Sequence, residues 1–275
     1  MKWIGIATLL LLASCSGFED SEYQRIRKSN ETGEYIYRQA GDTQFKIPPS
    51  YSKEVQKYAW DQNEPGQSPR LTKEYFRCRG NTTNPAHMDL DKKGEVVRHA
   101  DCGGPGTHSL PLREGHEFIY PTLLELVNYV QTKTGHHLVI TSGHRCPTHN
   151  AYVDPSPANQ FSKHMIGAEV DFYVEGLQDK PTTIVQILMD YYKDARFQGK
   201  REYQFVRYEK DDTGVATRPW YNKEIFIKVY QKNEGRNFDN RHPYPYISVQ
   251  VRYDVETQQK INYSWDLAFK NYMRW

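Results

Sequence analysis

The apolar positions of the chain change period several times, and each change predicts a different element. Between residues 117 and 135, EFIYPTLLELVNYVQTKTG carries Ile119, Leu123, Leu124, Leu126, Val127 and Val130. That three-and-four spacing collects them on one face of a helix, and Gly135 suits the left-handed cap that ends one. HLVIT at 137–141 follows as an apolar run of strand length, and EVDFYV at 169–174 reads as a second strand. A long loop, SGHRCPTHNAYVDPSPANQFSKHMIG, joins them. KPTTIVQILMDYYKD at 180–194 returns to helical spacing behind two candidate threonine caps. Downstream, QFVRYE, EIFIKVY and YISVQVRYD alternate apolar and polar residues, the period of half-buried antiparallel strands. The tail YSWDLAFKNYMRW predicts a short amphipathic helix docked on the core.

Upstream the pattern is weaker. Residues 15–45 are polar and predict a tether and arm. From about 46 to 115 the chain is rich in Pro, Gly, Asn and charge, and predicts extended segments and loops around a helical piece near SKEVQKYAW. The whole predicts one α+β domain over residues 46–275, a small antiparallel sheet flanked by helices, with a loop-rich N-terminal extension. Hydrophobic residues make up only 37% of the 275, but 21 Tyr and 11 Phe enlarge the available core. Lys and Arg number 36 against 34 Asp and Glu, with no basic run or basic helix face, so the charge pattern excludes a nucleic-acid partner.

The leader alters the chemistry expected of the cysteines. MKWIGIATLLLLASC has one Lys and then an apolar run too short to span a bilayer comfortably, the pattern of a secretory signal over residues 1–14. Leu12-Ala13-Ser14-Cys15 resembles the bacterial lipobox, which implies cleavage before Cys15 and a lipid on it. The expected product is an exported envelope protein, lipid-anchored to a bacterial membrane and facing the periplasm. Cys78, Cys102 and Cys146 then remain, and an oxidising compartment favours one disulfide. Cys78–Cys102 is preferred because it would staple the loop-rich stretch, with either cysteine pairing Cys146 as the alternative. A zinc site from the three is less favoured, since no CxxC spacing occurs.

The stretch SKHMIGAEVD at 162–171 places His164 seven positions before Asp171, with Gly167 between to permit a tight bend. A catalytic zinc takes three protein ligands and leaves a position for water, so such a pair is two-thirds of a site. Ser162-x-His164-x-x-Gly167-x-x-x-Asp171, preceded by Thr141-Ser142-Gly143-His144-Arg145, resembles the zinc D-Ala-D-Ala carboxypeptidase and dipeptidase family. The resemblance covers about residues 117–254. It implies a small α+β fold shared with lysostaphin-type and Hedgehog domains, and hydrolysis of peptidoglycan stem peptides with Zn2+. Two positions depart from the family pattern: Glu169 stands where Ala is usual, and His144 where Tyr is common. Glu169 is expected to point away from the metal.

The family's second motif, an acid and a histidine three positions apart, would be met by Asp239 and His242 in DNRH. On that alignment His242 is the third ligand and Asp239 the general base. A second alignment puts Ser248 in the place of the family's histidine and Gln250 in the place of its aspartate, which would leave the third ligand missing. His242 is preferred because serine is a poor zinc ligand. Arg145 would hold the developing oxyanion or a terminal carboxylate. Ser162 and Asn150 are candidates for orienting substrate, or for loop-stabilising hydrogen bonds. His149 is the reserve ligand, His136 and His137 are assigned a local role at the helix end, and His87, His99, His108 and His116 have no assignment. The expected function is a zinc metallopeptidase cleaving D-Ala-containing or related amide bonds. Its alternative is a non-catalytic envelope lipoprotein that binds cell-wall peptide or a partner protein through a degenerate site.

Overall fold

The computed structural model describes residues 68–90, 93–154, 161–210, 213–235 and 242–275. The leader, Cys15, the segment near SKEVQKYAW and Asp239 lie outside them.

Strands β1 (His87–Leu90) and β2 (Val96–His99) form a hairpin, and β3 (Leu112–Arg113) with β4 (His116–Glu117) forms a second, shorter one. Helix α1 (Pro121–Thr134) follows the predicted stripe, burying Leu123, Leu126, Val127 and Val130, and Gly135 ends it at φ 65°. Then come β5 (Leu138–Ser142), α2 (Pro147–Val153) and β6 (Glu169–Val174). Helix α2 falls inside the stretch expected to be loop. Pro147 at its first turn and the Cys146 sulfur accepting from the His149 amide start it, signals that a search for apolar period passes over. Helix α3 (Pro181–Tyr191) begins on Pro181 behind Lys180, without the threonine cap that the sequence suggested.

The remaining strands are β7 (Val206–Arg207), β8 (Trp220–Tyr221), β9 (Ile225–Tyr230), β10 (Tyr246–Val251), β11 (Tyr253–Asp254) and β12 (Gln259–Lys260), and α4 (Trp265–Lys270) closes the order. Strands β5 to β10 make one antiparallel sheet in the order β5-β6-β10-β9-β8-β7. The mixed helices and antiparallel sheets are an α+β arrangement.

Strand alternation gives the sheet two unlike faces. Val170, Phe172 and Val174 of β6, Ile247, Val249 and Val251 of β10, and Ile225, Ile227 and Val229 of β9 are buried in one cluster with the apolar residues of α1 and α3. The residues between them carry polar and aromatic groups on the opposite face. Pairing of Ser248 with both Asp171 and Lys228, and of Gln250 with both Glu169 and Phe226, lines these groups up across three strands. A one-residue slip of β6 would send Asp171 into the core, so the apolar face fixes the polar one.

Candidate metal centre

His164 sits in a short 3-10 turn, Lys163–Ile166, just ahead of β6. The Ser162 side chain caps that turn by accepting from the His164 amide at 3.3 Å. Gly167 then reverses the chain at φ 70°, and the strand brings Asp171 back beneath the imidazole. His164 Nε2 lies 3.3 Å from Asp171 Oδ2 and 3.7 Å from Glu169 Oε1. All three side chains are buried.

The protons are arranged for metal binding. His164 Nδ1 lies 2.6 Å from the Gly143 carbonyl oxygen, which can only accept, so Nδ1 donates there and Nε2 is the nitrogen turned toward the carboxylates. Asp171 Oδ1 is buried without a hydrogen-bond partner. Burial, the largest influence on Asp171, pushes its pKa up, but His164, Arg145 and Ser248 together hold the carboxyl below its ordinary value. One nitrogen and two carboxylate oxygens aimed at a common point fit a hard or borderline divalent cation such as zinc.

Glu169 does not point away from this centre. It lies on the same strand face as Asp171, two residues on, and parity alone sends it inward. Ser248 Oγ donates to Glu169 Oε1 at 2.8 Å and Gln250 Nε2 donates to the same oxygen at 2.7 Å. Lys163 Nζ in turn reaches Gln250 Oε1 at 3.2 Å. Ser248 stands directly across from Asp171 and is fully buried.

His242 packs in a row of aromatic rings. Its ring stacks on Tyr244 with centroids 5.2 Å apart and meets Tyr246 edge-on at 5.2 Å. It belongs to an aromatic row continued by Tyr230, stacked on Tyr246 at 4.5 Å, and by Tyr173 against Tyr244. The ligand-grade group at the centre is His164, Glu169 and Asp171, and His242 is not among them.

The loop after β5 forms the back wall. Arg145, 4% exposed, has Nη2 3.7 Å from Asp171 Oδ2 and donates from Nε to Ser142 Oγ at 2.9 Å. His144 lies beside it, and burial pushes that imidazole well below its ordinary pKa, with nearby His108 and His164 adding to the effect. Asn150 is buried in α2, where its backbone amide donates to the Cys146 carbonyl. His149 is held by Asp101, with Nδ1 2.7 Å from Oδ1, and takes no part in the centre. A cleft of about 210 Å³ lined by Arg79, Gly143, His144 and Arg145 adjoins this loop. Another of about 360 Å³ on the sheet face is lined by Lys163, Lys228, Arg252 and Gln250.

The expected Cys78–Cys102 disulfide is not formed. All three described cysteines are free thiols, and the Cys78 and Cys102 sulfurs are 3.7 Å apart, against about 2.05 Å for a disulfide.

Residues 95–206 match the family model described as Peptidase M15. The matched span carries Arg145, Ser162, His164, Glu169 and Asp171 and ends before Ser248 and His242. No curated protein and no solved structure matches the chain. The family match supports a relation to zinc peptidases of the D-Ala-D-Ala carboxypeptidase type, and with it a hydrolase of the metallopeptidase class.

Proposed function

We propose that this chain is a zinc metallopeptidase of the cell envelope that hydrolyses a D-Ala-containing or related amide bond in peptidoglycan stem peptides. One observation carries the reading: within the family-matched span, His164 and Asp171 converge at 3.3 Å with the far ring nitrogen anchored on the Gly143 carbonyl. A bound divalent cation would supply Lewis acidity and an activated water. His164 and Asp171 would hold it, and Glu169 would complete the ligand set in place of a second histidine.

Arg145 has its guanidinium Nη2 3.7 Å from Asp171 Oδ2, so it can steady negative charge developing beside the metal. Proton transfer falls to a carboxylate outside the described residues, Asp239 by the sequence reading. Lys163, Lys228 and Arg252 around the sheet-face cleft suit a peptide bearing carboxylates. The leader supports export and lipid attachment at Cys15, which would put the domain beside its substrate.

The second reading, a non-catalytic protein that binds cell-wall peptide or a partner, has its own observation. Ser248 occupies the position opposite Asp171, and both it and Gln250 already hydrogen-bond Glu169. Digestion of purified muropeptides, with products identified by mass, separates the two. The enzyme reading expects cleavage that is abolished in His164→Ala and Asp171→Ala. Intact muropeptides retained on the wild-type protein would select the binding reading.

A further inference from the structure

A second cluster of metal-ligand groups lies behind the Arg145 loop, and the family match gives it no role. Cys78, Cys102, Cys146 and His108 come from three separate stretches of chain, and all four are buried. Their ligand atoms lie within 4.8 Å of one another. We infer that these four residues form a closed, structural zinc site, distinct from the centre at His164 and Asp171.

The distances fit a shared ion better than a covalent bond. Zinc holds thiolate sulfur at about 2.3 Å, so two sulfurs on a tetrahedron stand about 3.8 Å apart. Cys78 Sγ and Cys102 Sγ are separated by 3.7 Å, and Cys102 Sγ and His108 Nε2 also by 3.7 Å. A Cys78–Cys102 disulfide would leave a third thiol and an imidazole nitrogen aimed at the same point with nothing to bind.

The surroundings are those of a metal–thiolate group. His108 Nδ1 lies 2.9 Å from the Ser109 carbonyl oxygen and must donate to it, which leaves Nε2 as the nitrogen facing the sulfurs. The Gly104 amide donates to Cys102 Sγ and the His149 amide to Cys146 Sγ, each at 3.4 Å. Such N–H groups stabilise charge on sulfur in a site closed to water. Gly80 lets the chain pass over the cluster, since a Cβ there would fall 2.1 Å from Cys102 Sγ. Asp101 braces the arrangement by accepting from the amides of Asn81 and Cys102 and from Asn84 Nδ2, each at 2.7 Å.

Four protein ligands leave no open position, which makes the site structural rather than catalytic. Thiolates select zinc, copper(I) or iron among the common ions, and zinc is the one that suits a Cys₃His tetrahedron without redox chemistry. Binding releases the thiol protons and involves no other bond change. The position explains what such a site would do. Cys146 follows Arg145 directly, and Gly143 of the same loop accepts the His164 proton. An ion on Cys146 would fix the loop that orients both groups.

The test uses the full chain carrying His164→Ala and Asp171→Ala, so that metal at the candidate active centre does not contribute. Zinc content by elemental mass spectrometry is expected at one equivalent, and at none once Cys102→Ser is added. In the His164/Asp171 variant, alkylation mapped by peptide mass should spare Cys78, Cys102 and Cys146 until a chelator removes the zinc, then label all three. This labelling needs no cysteine substitution, so it decides the matter even where Cys102→Ser fails to fold. A Cys78–Cys102 linked peptide in an unreduced digest would overturn the proposal, as would absence of zinc or chelator-independent labelling. Failure of the peptidase reading would leave all of these outcomes unchanged.

Discussion

Gly167 turns the chain between His164 and Asp171 at φ 70°, where a Cβ would stand 3.0 Å from both the Phe118 carbonyl oxygen and Ile119 Cδ1. Left-handed backbone costs a non-glycine residue about 1–2 kcal/mol before that crowding is added. Gly167→Ala should therefore lower unfolding stability by at least about 1 kcal/mol in urea titration. Glu117 offers a prediction in pH. Arg77 Nη1 and Nη2 donate to its carboxylate, at 2.9 and 2.8 Å, and these bonds hold its pKa below the ordinary 4.5. A depressed pKa in the folded state gives stability that is complete above the unfolded value and lost as the pH falls through the folded one. Glu117→Gln is expected to cost about 1–2 kcal/mol at pH 7, with the gap closing in acid unfolding below pH 4.5. At the proposed active centre, Arg145→Ala should reduce kcat roughly 10²–10³-fold, the size of a lost oxyanion donor. Asp239→Asn should retain metal and lose turnover, whereas Glu169→Gln should lose metal, both read from zinc content beside muropeptide hydrolysis.

Among the elements, β6 matters most, because its two faces do different work. Val170, Phe172 and Val174 anchor it in the core, while Glu169 and Asp171 face the centre. Phe172 is fully buried, and Phe172→Ala should destabilise the protein by about 3–5 kcal/mol in chemical denaturation. This strand was legible in the sequence to the residue, as were the apolar stripes of α1 and α3, because strong periodicity leaves little choice. Helix α2 and the turn at Lys163–Ile166 were not, since Cys146, Pro147 and Ser162 start them through caps rather than period. Parity within β6 would have turned Glu169 toward Asp171 on reading alone. That parity counts here because Glu169 is already within the buried part of the strand rather than ahead of it.

For the molecule as a whole, the C-terminal tail ties the cysteine cluster to the fold. Ser109 and Met273 exchange two hydrogen bonds, at 2.9 and 2.8 Å, and the Trp275 amide donates to the Thr107 carbonyl at 3.1 Å. Tyr272 packs against the cysteines. Deleting residues 272–275 should cost about 2–3 kcal/mol, at roughly 1 kcal/mol per hydrogen bond, and speed alkylation of Cys102. By itself the sequence determined the elements with strong period, the Peptidase M15-like spacing of His164 and Asp171, and the glycine between them. These are local properties, set within one strand and the turn before it. Only the tertiary structure decided which residue stands across from Asp171, because the β6–β10 register joins positions 77 residues apart, Ser248 and Asp171. The same holds for His108, unassigned in the sequence, which meets Cys78, Cys102 and Cys146 through three chain crossings. No spacing in one dimension encodes such a meeting: it depends on the core face that fixes each strand's register and each loop's path.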